Sequence, residues 1–395
     1  MKKLSLFLLI SIMLISCKSL FAADYYVDAN IGSDTTGDGS SGNPWKTITF
    51  ALTQVGGSAS DPEVINIAAG IYDLALGENF PITISSYISL KGESRDATVL
   101  DATGASASVL YAQDESNISL ENLTLTGSTG TEGIGGGGIL MIDSSISAND
   151  ISITGNLVYY GSGIFCYGNS TLTINNSLVN DNDGIGIYIL SKSNFIINNT
   201  EISNNNGDGI CGNALTIDAD NCIFKNNKSI GLYFYTDLDM NITNCEFYEN
   251  QGGGIEIRGN IAWFADDMIY NNKQFGISLF DCENTYIDYC DIINNDGNGL
   301  NLSGCANNIN ISDSLISGNY GSSGGGFYIM ESVILRLKIV LFRVILQLAQ
   351  EEEFIMIKMD IQIYIIVQFL TTVLMLVEVY LYQVNHLLQI LIIAQ

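Results

Sequence analysis

Glu256 and Arg258 stand two residues apart in the run Gly254-Ile255-Glu256-Ile257-Arg258. In an extended strand this spacing puts both side chains on one face. An arginine paired with an acid is one way to abstract a proton next to a carboxylate, with Arg258 as base, provided a cation offsets the substrate's charge. Glu256, Asp237 and Asp281 fall close enough in repeat register to hold that cation, and calcium is the ion such oxygen ligands would take. Other chemistries find less to work with. A histidine-dependent triad or metal site has only His386 to draw on. No Cys-x-x-Cys pair offers a zinc site, and no Gly-x-Ser-x-Gly elbow appears in a strand-to-helix context. A hydrolase needs two carboxylates facing one bond, and Asp266-Asp267 is the tempting pair, although the two alternate across a strand. Gly-Ile-Gly-Gly-Gly-Gly at 133–138 lacks the Gly-Lys-Ser/Thr of a phosphate loop and reads as a turn.

The elements that would position these residues come from a repeat. Gly followed by an apolar residue recurs at 138, 163, 186, 209, 231, 254, 276, 299 and 326, with separations of 22 to 25 residues and a last one of 27. Apolar alternation of period two around each glycine predicts short strands rather than helices. Asn156, Asn182, Asn205, Asn227, Asn250, Asn272, Asn295 and Asn319 occupy equivalent places. A second column, Asn176, Asn199, Asn221 and Asn244, continues as Asp266 and breaks at Tyr289. Asparagine tolerates left-handed backbone and can bond its amide to a neighbour, which suits the corner of a stacked coil. Three short strands and sharp corners per coil predict an all-β fold, a right-handed parallel β-helix of about 23 residues per coil. Cys222, Cys245 and Cys290, and likewise Cys282 and Cys305, fall at the repeat period, so they are expected to stack as small apolar residues rather than form disulfides.

If the residue after each repeated glycine faces inward, the next faces out. The outward set is then Leu140, Phe165, Tyr188, Cys211, Tyr233, Glu256, Ser278, Asn301 and Tyr328, with Tyr167, Tyr235, Arg258 and Phe280 two positions on. Phe165, Tyr167, Tyr188, Tyr233, Tyr235, Phe280 and Tyr328 are the candidate substrate-binding residues, because aligned aromatic faces stack on the apolar faces of sugar rings. The plainer alternative is that aromatics simply favour exposed strands.

Totals narrow the partners. A net charge of -27 argues against DNA, RNA or an anionic membrane surface as a partner. Forty Gly, three Pro and 14% charged residues fit many strands joined by tight turns. Met1-Lys2-Lys3 and the apolar run after it read as an export signal over 1–23, which predicts an extracellular or outer-surface location. Leu14-Ile15-Ser16-Cys17 also resembles a lipobox, so a lipid on Cys17 is the one expected membrane tether. A monomer is expected.

Residues 24–80 read as an N-terminal cap region, with a short helix opened by Asn43 as cap and Pro44 in the first turn and carrying a Trp45, Ile48, Leu52, Val55 stripe. Here the chain resembles known proteins. Tyr25-Tyr26-Val27-Asp28-Ala29-Asn30, the stretch 37–52 and Ile65-Asn66-Ile67-Ala68-Ala69-Gly70 are similar to the N-terminal region of pectin-lyase-like β-helix proteins, including family 9 polysaccharide lyases and related domains of unknown function. The resemblance implies the fold from 25 to about 330, and it implies that the strand after each repeated glycine borders a polysaccharide groove. It leaves activity open, since the superfamily holds lyases, hydrolases, epimerases and adhesins. The expectation is a polysaccharide-binding β-helix, with a cation-dependent lyase on uronate polymers or a non-catalytic adhesin as alternatives.

Repeats occupy 81–331, and from 332 to 395 glycine disappears while Ile, Leu and Val dominate. Codon arithmetic suggests why. Gln350-Glu351-Glu352-Glu353 can be encoded so that a shifted frame reads three glycines, and with permitted codons the surrounding segment nearly restores the Gly-Ser-Ser-Gly-Gly-Gly-Phe-Tyr of 321–328. The shifted frame also permits coil motifs on either side, in the right order. A frameshift near Glu331 is therefore expected, with a membrane segment or a partner helix as the competing readings of the tail.

Overall fold

The structure, a computed structural model, describes residues 23–130, 135–158, 160–190, 194–235, 239–259, 261–282, 284–305, 308–321, 325–330, 333–338, 341–344, 355–357, 362–367, 375–383 and 386–394. The expected export segment through residue 22, with Cys17, and the metal candidate Asp237 lie outside these residues.

Three long sheets of fourteen, thirteen and eleven strands, here sheets 1, 2 and 3, make up the body. In the repeats each strand pairs with the one three places later in the chain. Ser145–Asn149 lies in sheet 1, Ser152–Thr154 in sheet 2 and Ile164–Tyr167 in sheet 3, and Thr171–Asn175 then returns to sheet 1 parallel to the first. The result is a parallel β-solenoid with one coil per sequence repeat. Stacking already begins in the N-terminal region, where Ala23–Val27 pairs with Glu63–Ile67 and that strand with Ile88–Gly92.

Period-two alternation explains the core. Ile164, Ile187, Ile210, Leu232, Ile255 and Ile277 stand in one register file of sheet 3 and are fully buried. Burying each such side chain stabilises by roughly 1.5–3 kcal/mol. An inward file of sheet 2 stacks Phe224 on Phe247, ring centroids 4.4 Å apart and planes 3° from parallel.

The two asparagine columns divide the work of the corners. Asn176, Asn199, Asn221 and Asn244 take left-handed backbone at φ 53°, 50°, 52° and 55° between sheets 1 and 2. Asp266 and Tyr289 adopt the same conformation, at φ 58° and 55°, so the break in residue type at Tyr289 is no break in the backbone. The longer column, by contrast, is a hydrogen-bond ladder. Asn205 Nδ2 donates to Asn227 Oδ1 at 3.0 Å, Asn227 to Asn250 at 3.0 Å and Asn250 to Asn272 at 3.0 Å. Each of these amides also donates to a backbone carbonyl, and each Oδ1 accepts a backbone N–H, as Asn227 does with Ile202 O and Asn205 N. The left-handed residue at this second corner is the one before the ladder, such as Asn204 or Asn226. The ladder accounts for a repeated glycine as well: a Cβ on Gly209 would lie 2.5 Å from Gly231 O and 3.1 Å from Asn227 Nδ2.

The seven described cysteines are buried free thiols. Cys222, Cys245 and Cys290 are not merely small apolar residues, however. Ser177, Thr200, Cys222, Cys245, Asp267, Cys290 and Ser314 each follow the left-handed residue of the first corner. Ser177 Oγ donates to Asn175 O, and the thiols of Cys222, Cys245 and Cys290 reach the carbonyl two residues back in the same way. Cys222 N in turn donates to Cys245 Sγ, and Cys245 N to Asp267 Oδ1 at 2.8 Å.

One helix is described, α1, Ile48–Gln54, with Ile48 and Ala51 in the core. It starts later than the Asn-Pro signal suggests. Trp45 bridges Val27 in parallel, donating its N–H to Tyr26 O, and this pairing holds the Asn43–Trp45 stretch extended. Thr47 is the actual N-cap and accepts from Phe50 N at 3.1 Å. Glu78, 2% exposed, comes from 30 residues further on to accept from Ile48 N at 2.6 Å and Thr49 N at 2.8 Å. First-turn N–H groups have no partner inside a helix, so this carboxylate satisfies them.

Parallel stacking runs on through Val333–Lys338 and Leu341–Val344. Beyond them pairing turns antiparallel: Gln362–Val367 lies against Val333–Lys338, and Met375–Gln383 against His386–Ala394. No helix among the described residues is long and apolar enough to cross a membrane, a statement that does not bear on crossing by strands.

Candidate functional site

The outward surface of sheet 3 collects most of the candidate residues. Its strands alternate as the sequence requires: Ile255 and Ile257 are buried, while Glu256 and Arg258 face out. The register file through Glu256 reads Phe165, Tyr188, Cys211, Tyr233, Glu256, Ser278, Asn301 and Tyr328. The next outward file pairs Arg258 with Phe280.

Facing out of the sheet does not mean facing water. Leu140, Phe165, Cys211 and Ser278 are all buried. Phe165 serves as backing, stacked beneath Tyr188 at 5.6 Å and 12°. Tyr160, which belongs to an irregular loop and carries no repeat signal, stacks on Tyr188 from 5.3 Å and is half exposed. Tyr167 is also half exposed and tilts against Phe165. Burial first, then the nearby Tyr235, pushes the Tyr188 hydroxyl pKa up. The Tyr233 and Tyr235 ring centroids lie 5.8 Å apart. Tyr160, Phe165, Tyr188, Tyr235 and Tyr233 thus form one connected aromatic wall.

Charge gathers at its end. Arg258 holds its guanidinium 5.0 Å from the centre of the Phe280 ring. Burial raises the Glu256 carboxyl above the usual carboxylate range, Arg258 opposes that shift, and Asp208 adds to it. Asp208 lies outside the regular strands and accepts from Ile230 N at 2.9 Å. Its place just before Gly209 is the only sequence signal for it. Burial likewise pushes the Cys211 thiol up. This arrangement can hold a polyhydroxylated ring against tyrosine faces, with a carboxyl and a guanidinium beside it.

Other candidates fall elsewhere. Tyr328 lies three coils beyond Glu256 in the same file and does not touch the wall. Asp281 follows Phe280 with left-handed backbone at φ 54°. Among the described residues no group of three or more His, Cys, Asp or Glu side chains is placed to hold a metal ion. Asp266 and Asp267 belong to the corner between sheets 1 and 2; Asp267 is 1% exposed and its carboxyl is pushed up to about 8, chiefly by burial.

Fold and register define a parallel β-helix with one coil per sequence repeat. A family model described as "Right handed beta helix region" matches residues 212–339. The chain belongs to the family described as "Protein of unknown function (DUF1565)", whose model matches residues 30–255, more than half its length. No curated protein matches the chain. Solved structures similar to it include the A-module of mannuronan C-5 epimerase AlgE4 from Azotobacter vinelandii, 16% identical over 71% of this chain and 93% of that one with a TM-score of 0.48. Pectate lyase Pel9A is 16% identical over 68% of this chain and 70% of that one, TM-score 0.44. The catalytic domain of a GH87 alpha-1,3-glucanase in complex with nigerose is 13% identical over 72% of this chain and 66% of that one, TM-score 0.46.

Proposed function

We propose that this protein is an exported or cell-surface β-helix that binds polysaccharide along the outward face of sheet 3. The observation that carries the reading is the connected wall of Tyr160, Tyr188, Tyr233 and Tyr235, which ends at the half-buried Glu256 and at Arg258. Tyrosines that merely favour strands need not meet across coils, and these do. The wall would take the apolar faces of sugar rings, and Glu256 and Arg258 their hydroxyls. In the same reading α1 covers the first coil and a monomer suffices. Affinity electrophoresis through a panel of soluble polysaccharides tests it: at least one glycan retards the protein, and Tyr233→Ala with Tyr235→Ala removes the retardation while circular dichroism is unchanged. Retardation by none of the glycans, or retention that ignores both substitutions, overturns it.

A second reading, a cation-dependent lyase on uronate polymers, is favoured by Glu256 and Arg258 sharing one strand face. Calcium, held with help from Asp237 and Asp281, would be its cofactor. Unsaturated product absorbing in the ultraviolet, lost in Arg258→Ala, supports it, and absence of product with calcium present removes it.

The tail is read as the product of a frameshift near Glu331. The loss of glycine from 332 onward supports this, although pairing stays parallel through Val344 before it turns antiparallel. Sequencing the locus decides: glutamate codons at 351–353 that cannot yield glycine in the shifted frame dismiss it.

A further inference from the structure

Sheet 1 carries an aromatic feature of its own. In one outward register file stand Asp218, Asn241, Trp263, Tyr286 and Asn310. Trp263 is 42% exposed, although tryptophan normally hides most of its surface. It stacks on Tyr286 at 4.9 Å and 27°, so the partner covers one face of the indole. The other face looks over the coil of Asn241, a shorter side chain that leaves a step beside the ring. Ala265, the next outward residue of the same strand, adds only a methyl group. Among the described residues neither the Asp218 carboxylate nor the Asn241 amide has a protein hydrogen-bond partner, and both are exposed.

We infer that this step is a second saccharide-binding site, separate from the sheet 3 face, and that its ligand is a neutral pyranose glycan. One sugar ring lies with its C–H face on the free side of Trp263, and its hydroxyls meet the Asn241 amide and the Asp218 carboxylate, which together donate and accept. Charge selects the class. Asp218, Asp220, Asp239 and Asp288 surround the step, while the strands Asp239–Thr243, Ile261–Ala265 and Asn284–Asp288 carry no Lys or Arg. A uronate polymer would meet uncompensated repulsion there.

The two tryptophans make the test specific. Trp45 is buried and stacked on Tyr25, so a change in indole emission on adding an oligosaccharide reports Trp263. The full chain is titrated with cellohexaose, with hexagalacturonate and with a fully deacetylated chitosan hexamer. Cellohexaose is expected to shift the emission saturably, and equally in Tyr233→Ala, whereas hexagalacturonate leaves it unchanged. In that Tyr233→Ala background, Trp263→Ala or Asn241→Ala weakens retardation by hydroxyethylcellulose at least about tenfold, one stacking partner's share, with circular dichroism preserved. The inference fails if cellohexaose leaves the emission unchanged, if hexagalacturonate acts equally, or if only the cationic hexamer acts. It also fails if light scattering shows that Trp263 is covered by a second copy. Loss of binding in Tyr233→Ala alone, with silent emission, would remove this site and leave the sheet 3 reading standing.

Discussion

The inner asparagine ladder and the outer file of sheet 3 follow the same coils and differ in what they stack. Inside, one residue type repeats from Asn156 to Asn319, and every step makes the same bond. Outside, one file runs from phenylalanine through tyrosine, cysteine and glutamate to serine. A buried amide has one good arrangement relative to its neighbour, so translation by a coil demands the same residue again. An outward position is under no such demand. There it gathers tyrosines and a raised carboxyl, the residues on which the proposed glycan site rests.

Breaking the ladder should therefore have the largest effect on stability. Asn227→Ala leaves Asn205 N and Ile202 O without their side-chain partner and cuts the amide chain on both sides. The cost is expected at about 3–5 kcal/mol, given roughly 1–3 kcal/mol for each buried group left unsatisfied. Its neighbour Asn226 is exposed and needs only its left-handed backbone, at φ 55°. Asn226→Gly should be near neutral. Urea unfolding of the two variants measures the difference, and equal midpoints would refute the division of labour.

The second inner file tests the same idea through pH. Asp267 stands where other coils place a hydroxyl or thiol, and its Oδ2 has no partner among the described residues. With its carboxyl raised from 3.8 to about 8, the folded state keeps a proton that the unfolded chain releases. The stabilisation is complete below the unfolded value of 3.8 and is lost as pH rises through about 8. Asp267→Ser removes this dependence, since a serine there can donate to Ala265 O as Ser177 does to Asn175 O. At about pH 9 the variant should be more stable by roughly 2–3 kcal/mol, at about 1.4 kcal/mol per pKa unit and with allowance for relaxation. Thermal unfolding across the range from about pH 5 to about pH 9 is the measurement, and parallel curves would contradict it.

On the outer file the expectation reverses, with binding lost and stability kept. Tyr233→Ala should weaken glycan binding about tenfold, within the roughly 1–3 kcal/mol that one stacking partner contributes, and change unfolding by less than about 1 kcal/mol. Glycan titration and urea unfolding of the same sample give both numbers. A large stability loss with binding intact would make the wall part of the fold.

The fold is legible in the sequence because its determinants are local and repeat. A glycine every 22 to 25 residues, period-two alternation and the asparagine column place each coil without reference to anything distant. Three features are less legible. The true start of α1 depends on Trp45 pairing with Val27 and on Glu78, thirty residues away, and neither acts within a helical turn. Burial of Phe165 depends on the chain around Gly135 and Gly161, which follows no repeat, and so does the arrival of Tyr160. Cys222, Cys245 and Cys290 look apolar by type, and only their hydrogen bonds to carbonyls show that they stand in for serine and threonine.

The smallest expected effect concerns the column that changes residue type without changing shape. Tyr289 is 62% exposed and held at φ 55°, where its equivalents in earlier coils are asparagine or aspartate. A left-handed conformation costs a residue with a bulky side chain roughly 1–2 kcal/mol, and asparagine less, because its short side chain bonds locally. Tyr289 N donates to Ser312 O as Asn244 N does to Ala265 O, so the backbone already has the geometry asparagine prefers. Tyr289→Asn should therefore stabilise the protein by about 0.5–1 kcal/mol, seen as a higher urea midpoint with an unchanged slope. Destabilisation instead would mean that the exposed ring makes a contact worth more than the strain.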